Sequence, residues 1–301
     1  MTKLLVTGGA GFIGSHLCEG LLARGHQVRV LDNLAYGRRD YVPADAEFIQ
    51  GDIRDLATCQ RAAQGIEGIF HCAAMSRSGP SQDQVDICTQ SNITGTQNML
   101  LAARDAGVRR FIYSGSSTYY GNRAVPHRED DPPDLLNIYG LTKKVGEDYC
   151  LLFDKNFGLA CVVLRYFNVY GPRQPQTGAY ALVLGIFLHR LAENKILEIH
   201  GDGNQRRDFV QVRDVVAANI LAYERAQDDD VRGEVFNVGS GDNLSVKELA
   251  DMISPNQVHT EARKGDATAT LADISKIKDR LGWTTRVSFV DGLKELITLT
   301  K

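Results

Sequence analysis

The chain has 301 residues, enough for one large domain or two modest domains that bury a sizeable core. Its 34 Lys and Arg against 37 Asp and Glu give a formal net charge of −3, so nothing global favours nucleic acid or an anionic membrane surface. Hydrophobic residues at 43% and charged residues at 24% are typical of globular domains and argue against disordered, fibrous and membrane-embedded classes.

Short apolar runs alternate with amphipathic stretches along the first half of the chain. The runs that predict strands are residues 3–7, 27–31, 47–50, 68–72, 110–114 and 160–164. The stretches that predict helices are residues 13–22, 56–63 and 92–106. Buried strands that alternate with helices predict an α/β fold, a Rossmann-type doubly wound parallel sheet covered on both faces.

The pattern changes after Tyr170, where Gly171, Pro172 and Pro175 indicate a long loop. We predict a Rossmann domain over residues 1–170, to which the chain returns near 209–240. Residues 171–301 are predicted to form mainly a smaller C-terminal α/β lobe.

Several sequence features bear on the cellular setting. The six cysteines are dispersed without a C-x-x-C pair, which indicates a reducing, cytoplasmic environment. The seven histidines form no paired-ligand pattern, so we expect no metal. Glycines from Gly8 onward interrupt the N-terminal apolar run, and the longest apolar stretch, residues 180–188, is too short to cross a bilayer. Neither a signal peptide nor a membrane span is therefore predicted.

Gly8, Gly11 and Gly14 lie between the first predicted strand and the first predicted helix. Glycines at this junction let the backbone approach a pyrophosphate, and the helix N-terminus supplies free N–H groups. Asp32 ends the second strand, where a carboxylate accepts hydrogen bonds from the adenosine ribose and repels a 2′-phosphate. We therefore expect NAD, with NADP kept as the alternative because Arg38 and Arg39 are close in sequence.

The G-x-x-G-x-x-G spacing resembles that of the extended short-chain dehydrogenase/reductases. Asp52-Ile53, the strand end His71-Cys72-Ala73-Ala74 and Asn92 are similar to further segments of that superfamily. The resemblance implies cofactor contacts from Gly8, Gly11, Phe12, Ile13, Gly14, Asp32, Asn33, Gly37, Asp52, Ile53, Cys72, Ala73, Ala74, Asn92, Ser114, Tyr139, Lys143, Tyr166 and Val169.

Tyr139 and Lys143 are four residues apart, which places them on one face of a helix. A tyrosine has an ordinary pKa near 10, so it acts as a base at neutral pH only where a cation favours the phenolate. Lys143 and the positively charged nicotinamide ring supply that cation. Ser116 follows a predicted strand in a serine-rich turn, and the order of serine, then Y-x-x-x-K, predicts a catalytic group of Ser116, Tyr139 and Lys143.

The segment 165–174 resembles the NAD-dependent epimerase/dehydratase family, whose members act on nucleotide sugars. The resemblance implies that the second lobe binds a nucleotide sugar, with contacts from Ser116, Tyr139, Asn168, Arg207, Arg263, Asp266 and Thr270. Two arginines that converge on a diphosphate fit bidentate pairing with phosphate oxygens. The family also implies a homodimer through two helices of each subunit, here around residues 91–104 and 139–153; Leu151, Leu152 and Phe153 are either exposed there or buried in the core.

Family members that act on sugar C4 first form a 4-keto sugar, with the hydroxyl proton removed by the tyrosinate directly or through the serine. Dehydratases carry Asp-Glu where this chain has Ser117 and Thr118, and the missing glutamate also weakens a decarboxylase interpretation. What remains is 4-epimerisation of a nucleotide diphosphate hexose, and the resemblance implies a UDP-hexose, UDP-Glc/Gal. The family members restricted to glucose and galactose carry a bulky tyrosine where this chain has Thr270, so UDP-GlcNAc/GalNAc are expected as further substrates.

Three alternatives stay open from the sequence. A UDP-glucuronate 4-epimerase is one, because Arg77, Ser78 and residues 177–186 line the presumed sugar side. Another nucleotide-sugar dehydratase or decarboxylase of the family is the second. A non-catalytic NAD-sensing regulator is the third, although a sensor has no chemical need for Ser116, Tyr139 and Lys143 together.

Overall fold

A parallel sheet forms the centre of the protein. A computed structural model describes residues 2–76, 78–178, 181–261 and 267–300. Its strands are β1 Lys3–Thr7, β2 Gln27–Asp32, β3 Glu47–Gln50, β4 Gly68–His71, β5 Arg110–Ser116, β6 Ala160–Tyr166, β7 Val169–Tyr170, β8 Leu197–His200, β9 Arg206–Arg207, β10 Val210–Gln211, β11 Glu234–Val238, β12 Leu244–Ser245 and β13 Gln257–Thr260. Seven of them pair in the order β11-β6-β5-β4-β1-β2-β3, and all of these pairs are parallel.

Helices cover both faces of this sheet. They are α1 Phe12–Leu22, α2 Leu56–Ala63, α3 Ser78–Asp83, α4 Val85–Thr89, α5 Gly95–Asp105, α6 Ile138–Phe157, α7 Val183–Ala192, α8 Val212–Arg225, α9 Val246–Ile253, α10 Ser275–Leu281 and α11 Phe289–Thr300. The predicted α/β doubly wound fold is confirmed. Within the described ranges, no helix is both long and apolar enough to cross a bilayer.

The alternation of side chains along β1 explains why the sheet is covered on both faces. Leu4 and Val6 join one apolar core, which includes residues of α1 and α8, whereas Leu5 joins a second core with residues of α2 and α5. Successive side chains of a strand point to opposite faces, so an uninterrupted apolar run requires helices on both sides.

The chain returns to the central sheet after it has formed part of the second lobe. Strand β11 pairs with β6, and α8 packs against α1. Elsewhere the chain forms the two-stranded sheets β7/β10, β8/β13 and β9/β12, and a third apolar core contains residues of α7, α9 and α11. The division into a domain at 1–170 and a lobe at 171–301 stays a prediction.

The observed boundaries of β5, β6 and the helix around residue 92 differ from the sequence-based ones. Strands β5 and β6 run on to Ser116 and Tyr166, because the parallel ladder continues through Gly115–Arg165 and Ser116–Tyr166. The helix predicted to start at residue 92 instead begins as a wider π-helical turn, Gln90–Thr94, before α5. Such turns in a helix often accompany functional sites.

A buried ion pair joins β6 to α6. Arg165 donates from Nε and Nη2 to the two carboxylate oxygens of Glu147 at 3.0 and 2.6 Å, and both side chains are almost fully buried. The same guanidinium donates to the Tyr120 hydroxyl at 2.7 Å and lies over the Tyr119 ring. Because a buried charge is costly without its partner, this pair fixes the turn that contains Tyr119 and Tyr120 against α6.

Candidate active site

A cleft of about 550 Å³ opens at the carboxyl ends of the central strands. The strand order changes direction between β1 and β4, and open α/β sheets bind ligands at this switch point. The cleft is lined by the glycine turn after β1 and by the ends of β2, β4 and β5, and α6 contributes Tyr139 and Lys143.

The glycine turn brings bare backbone to the cleft. Gly8 has φ +72°, and a Cβ atom there would lie 2.7 Å from the Ala73 nitrogen. At Gly14 a Cβ would lie only 2.2 Å from the Gly8 carbonyl oxygen. Gly11 is the N-cap of α1 and has no side chain to occupy the free N–H groups. The turn therefore leaves room for an anionic group at the helix N-terminus.

Asp32 lines the cleft at the end of β2, where the sequence predicts a contact with the adenosine ribose. Its two carboxylate oxygens accept from the Ala10 N–H at 3.0 Å and the Leu34 N–H at 2.8 Å. Burial raises the pKa of Asp32, and these two hydrogen bonds oppose that rise. The carboxylate is thus fixed in orientation and available to hydroxyl donors.

A second carboxylate lies beside it. Asp52 accepts from the Asn33 side chain at 2.8 Å and from the Arg54 guanidinium at 2.7 and 3.0 Å. Partial burial would raise the pKa of Asp52, but the Arg54 and Asn33 hydrogen bonds lower it to about 2. Of the two arginines that kept NADP open, Arg38 pairs with Asp40, and Arg39 lies over the Phe48 ring.

All but one of the predicted cofactor residues line the cleft. Asn92 is the exception: it is buried, and its amide accepts from the Met75 N–H and donates to the Met75 carbonyl and the Thr142 hydroxyl. The structure therefore gives Asn92 a place beneath the cleft, where it ties the segment after β4 to α6. Its side-chain amide is already engaged with protein groups.

The catalytic candidates meet in one wall of the cleft. Asn137 caps α6 by accepting from the Gly140 N–H at 2.9 Å, so Tyr139 falls in the first helical turn. The Tyr139 N–H donates to the buried Ser81 hydroxyl at 3.1 Å. Ser116 comes from the end of β5 and caps the 3-10 turn Ser117–Tyr119. Both side chains line the cleft together with Lys143.

Lys143 is almost fully buried, and its ammonium lies 4.3 Å from the centre of the Tyr113 ring. Burial lowers its pKa to about 8. A cation over an aromatic face is stabilised without being neutralised, so its charge stays available to favour a phenolate nearby.

The predicted substrate residues are distributed differently. Ser116, Tyr139 and Asn168 line the cleft, whereas Arg207 and Thr270 do not. Thr270 lies behind Asn168, and its hydroxyl accepts from the Asn168 amide at 3.1 Å and the Asp208 N–H at 3.2 Å. Arg263 and Asp266 are outside the described residues, as is Arg77.

Further lining residues had no sequence signal of their own. Tyr36, Met75 and Ser91 reach the cleft from loops or from the π-helical turn, where no periodicity marks an inward face. In the described part of the chain, no group of three His, Cys, Asp or Glu side chains could hold a metal ion.

Comparison with known proteins gives consistent family evidence. The model of the NAD dependent epimerase/dehydratase family matches residues 4–239. A putative UDP-glucose 4-epimerase of Methanocaldococcus jannaschii is 34% identical over 99% of this chain and 98% of its own. A UDP-N-acetyl-alpha-D-glucosaminuronate decarboxylase of Bacillus cytotoxicus is 33% identical over 98% of this chain and 96% of its own.

Solved structures agree over nearly the full chain. The UDP-glucose 4-epimerase of Thermotoga maritima, with UDP-glucose, has a TM-score of 0.93 at 36% identity and covers 98% of this chain and 97% of that one. A UDP-N-acetylglucosamine 4-epimerase of Methanobrevibacter ruminantium, with UDP-N-acetylmuramic acid, has a TM-score of 0.92 at 30% identity, covering 99% and 97%. The Thermus thermophilus UDP-glucose 4-epimerase in complex with NAD has a TM-score of 0.91 at 32% identity, covering 99% and 98%. The expected cofactor, NAD, is confirmed.

The buried ammonium gives the stability a defined pH dependence. Folding lowers the pKa of Lys143 from 10.5 to about 8, so between these values the unfolded chain holds a proton that the folded chain has released. The free energy of unfolding therefore gains a contribution as the pH rises from about 8 to about 10, on the order of 2 kcal/mol. Lys143→Met removes this contribution.

Urea unfolding in the absence of nucleotide gives the free energy of unfolding of the unaltered protein and of the variant, and the effect is the difference between the two. That difference in unfolding free energy is expected to increase over this pH range. Lys144→Met is the matched control, because Lys144 pairs with Asp148 near the surface. A difference for Lys143→Met that stays constant with pH would contradict the prediction.

Proposed function

This chain belongs to the NAD-dependent epimerase/dehydratase family, and from that premise we propose that it inverts C4 of a UDP-hexose through a transient 4-keto sugar. The observation that carries the proposal is the cleft wall that brings together Ser116, Tyr139 and Lys143, beside which the described lining residues place no Asp, Glu or His side chain. UDP-Glc and UDP-Gal are the proposed substrates, with UDP-GlcNAc and UDP-GalNAc as further substrates.

Different residues of the cleft bind the cofactor and transfer the proton. The glycine turn and Asp32 hold the NAD pyrophosphate and adenosine ribose, and bound NAD supplies the hydride acceptor and donor. Lys143 favours the Tyr139 phenolate, which takes the proton of the sugar 4-hydroxyl. The same tyrosine returns that proton after the keto sugar has turned over, so no net proton leaves the site.

The positions of the carboxylates in the cleft favour epimerisation over dehydration. Among the described lining residues, only Asp32 and Asp52 carry carboxylates, and they lie at β2 and after β3. Strands β4 and β1 separate that end of the sheet from Ser116 at the end of β5. Removal of a C5 proton and expulsion of the 6-hydroxyl need an acid and a base beside the sugar, where this chain has Ser117 and Thr118.

The small side chain at position 270 supports the wider substrate range. Thr270 is buried behind Asn168 and holds its amide, so a larger residue there would push into the cleft. The decarboxylase and N-acetylhexosamine epimerase among the relatives act on sugars with an N-acetyl group, by their names. A UDP-uronate 4-epimerase is the second candidate, which Arg77 favours by its charge.

Product analysis tests the proposal directly. The purified protein, incubated without added cofactor with UDP-Glc, UDP-GlcNAc or UDP-glucuronic acid in turn, is expected to form products of unchanged mass and altered retention from the first two. Tyr139→Phe is expected to reduce turnover by about a hundredfold or more, because the base is lost. Loss of water or carbon dioxide would contradict epimerisation, and NAD binding without any turnover would favour the sensing regulator.

Substitution at position 270 tests the substrate range. Thr270→Tyr is expected to lower turnover of UDP-GlcNAc relative to UDP-Glc by about tenfold or more, because the ring would occupy the space of the N-acetyl group. Thr270→Val is the control, since it keeps the volume and removes the oxygen that holds Asn168. An unchanged ratio of the two activities in Thr270→Tyr would refute the role of this position.

We also propose a homodimer through α5 and α6. Leu141 and Leu152 on α6 are exposed, Val145 lies between them, and Ile93 and Leu101 are half-buried on and before α5. Phe153 packs in the core and Leu151 lies against it, so of the three apolar residues considered, Leu152 alone is exposed. Helix faces of this kind bury apolar surface when two copies meet.

Light scattering after size exclusion tests the assembly. Leu152→Glu is expected to halve the molar mass, because a charge would be buried in the interface. Leu299→Glu is the control, since Leu299 is 65% exposed on α11, away from these helices. A monomeric unaltered protein, or a dimer that survives Leu152→Glu, would contradict this interface.

A further inference from the structure

The Ser116 hydroxyl oxygen accepts two hydrogen bonds, both from Thr118. The Thr118 N–H donates to it at 3.3 Å, and the Thr118 hydroxyl donates at 2.9 Å. The first bond belongs to the N-cap of the 3-10 turn, and the second fixes the Thr118 side chain over the same oxygen. One residue thus supplies both donors.

A serine hydroxyl has one hydrogen to donate and two lone pairs that accept. At Ser116 both lone pairs are engaged by Thr118, so the remaining capacity is donation. Among the described residues, no protein group accepts the Ser116 hydrogen, and the side chain lines the cleft. Its hydrogen is therefore available to an oxygen of a bound molecule.

We propose that Thr118 is a positioning residue that makes Ser116 a hydrogen-bond donor only, so that the proton passes directly between the sugar 4-hydroxyl and Tyr139. The inference rests on the proposed 4-epimerisation and deepens it. It decides between the two proton routes that the sequence leaves open, direct transfer to the tyrosine and relay through the serine.

The bonds that change are few. The O4–H bond breaks as the Tyr139 O–H bond forms, and hydride leaves C4 for NAD, when NAD is bound, as the C4–O4 bond becomes a carbonyl. Ser116 keeps its own hydrogen throughout and donates it to O4, most strongly while negative charge develops there during hydride return. A relay would require Ser116 to accept the O4 proton on a lone pair that Thr118 occupies.

The turn Ser117–Tyr119, which follows Ser116, is packed against α6. A Cβ at Gly140, next to Tyr139, would lie 3.2 Å from the Thr118 carbonyl oxygen, so the serine turn packs directly on the first turn of α6. The Arg165 guanidinium lies over Tyr119, the last residue of the same turn. The backbone of Thr118 is therefore held against the first turn of α6, next to the residue that follows Tyr139.

A first double-mutant cycle tests whether Thr118 acts through Ser116. Thr118→Val removes the hydroxyl donor at nearly constant volume and is expected to lower kcat about tenfold, with KM changed less than about twofold. Thr118→Ser, which keeps the hydroxyl, is expected to recover most of that loss. In a Ser116→Ala background, Thr118→Val is expected to lower kcat no further.

A second cycle tests the proton route. Ser116→Ala is expected to lower kcat about a hundredfold. If transfer is direct, Tyr139→Phe still lowers turnover at least tenfold in the Ser116→Ala background. If the serine relays the proton, Ser116→Ala prevents proton transfer to the tyrosine. Tyr139→Phe then lowers turnover no further in that background. That second outcome would overturn the proposal.

The outcomes are separable from those of the proposed function. Equal losses from Thr118→Val with and without Ser116 would show that Thr118 acts elsewhere and would overturn this inference alone. Absence of any UDP-hexose turnover by the unaltered protein would overturn the proposed function, and this inference with it.

Discussion

Lys143 carries a positive charge into the interior, where burial disfavours the charge and an aromatic ring lies against it. Its ammonium faces the Tyr113 ring, and in the described part of the chain no carboxylate forms an ion pair with it. Glu147 lies one helical turn further along α6, yet both of its oxygens are held by Arg165. A free carboxylate at that position would neutralise Lys143 and weaken its influence on Tyr139.

A hydrogen-bonded histidine lies in the layer of side chains beneath Lys143. The His71 ring stacks on Tyr113, and its two nitrogens are hydrogen-bonded to the hydroxyls of Thr7 and Thr96. Burial first, and then the charge of Lys143, lowers the pKa of His71 to about 3, so the ring is neutral. These partners come from α5 and from β1, β4 and β5, three neighbouring strands of the central sheet, so the surroundings of the buried charge depend on the pairing of these strands.

The second lobe meets this centre through another buried carboxylate. Asp208 accepts from the N–H groups of Ser240, Gly241 and Ala272, and burial raises its pKa. Its own carbonyl accepts from Asn168, whose amide also donates to Thr270. The segment that contains Thr270 is thus fixed behind the cleft by the same residues that orient Asn168. The orientation of Asn168 and the packing of the second lobe are coupled at this point.

Elements with a local cause could be predicted from the order of residues along the chain. Apolar runs predicted the central strands, and the glycine spacing predicted the dinucleotide turn. The four-residue spacing of Tyr139 and Lys143 predicted that they share one face of a helix. Each of these features depends on neighbours along the chain. Contacts between residues distant along the chain became known from the folded structure. It placed Asn92 beneath the cleft, Thr270 behind Asn168, and two donors of Thr118 on the Ser116 oxygen. Hydrogen-bond partners are set by the packing of strands, helices and turns remote in sequence, which no periodicity encodes.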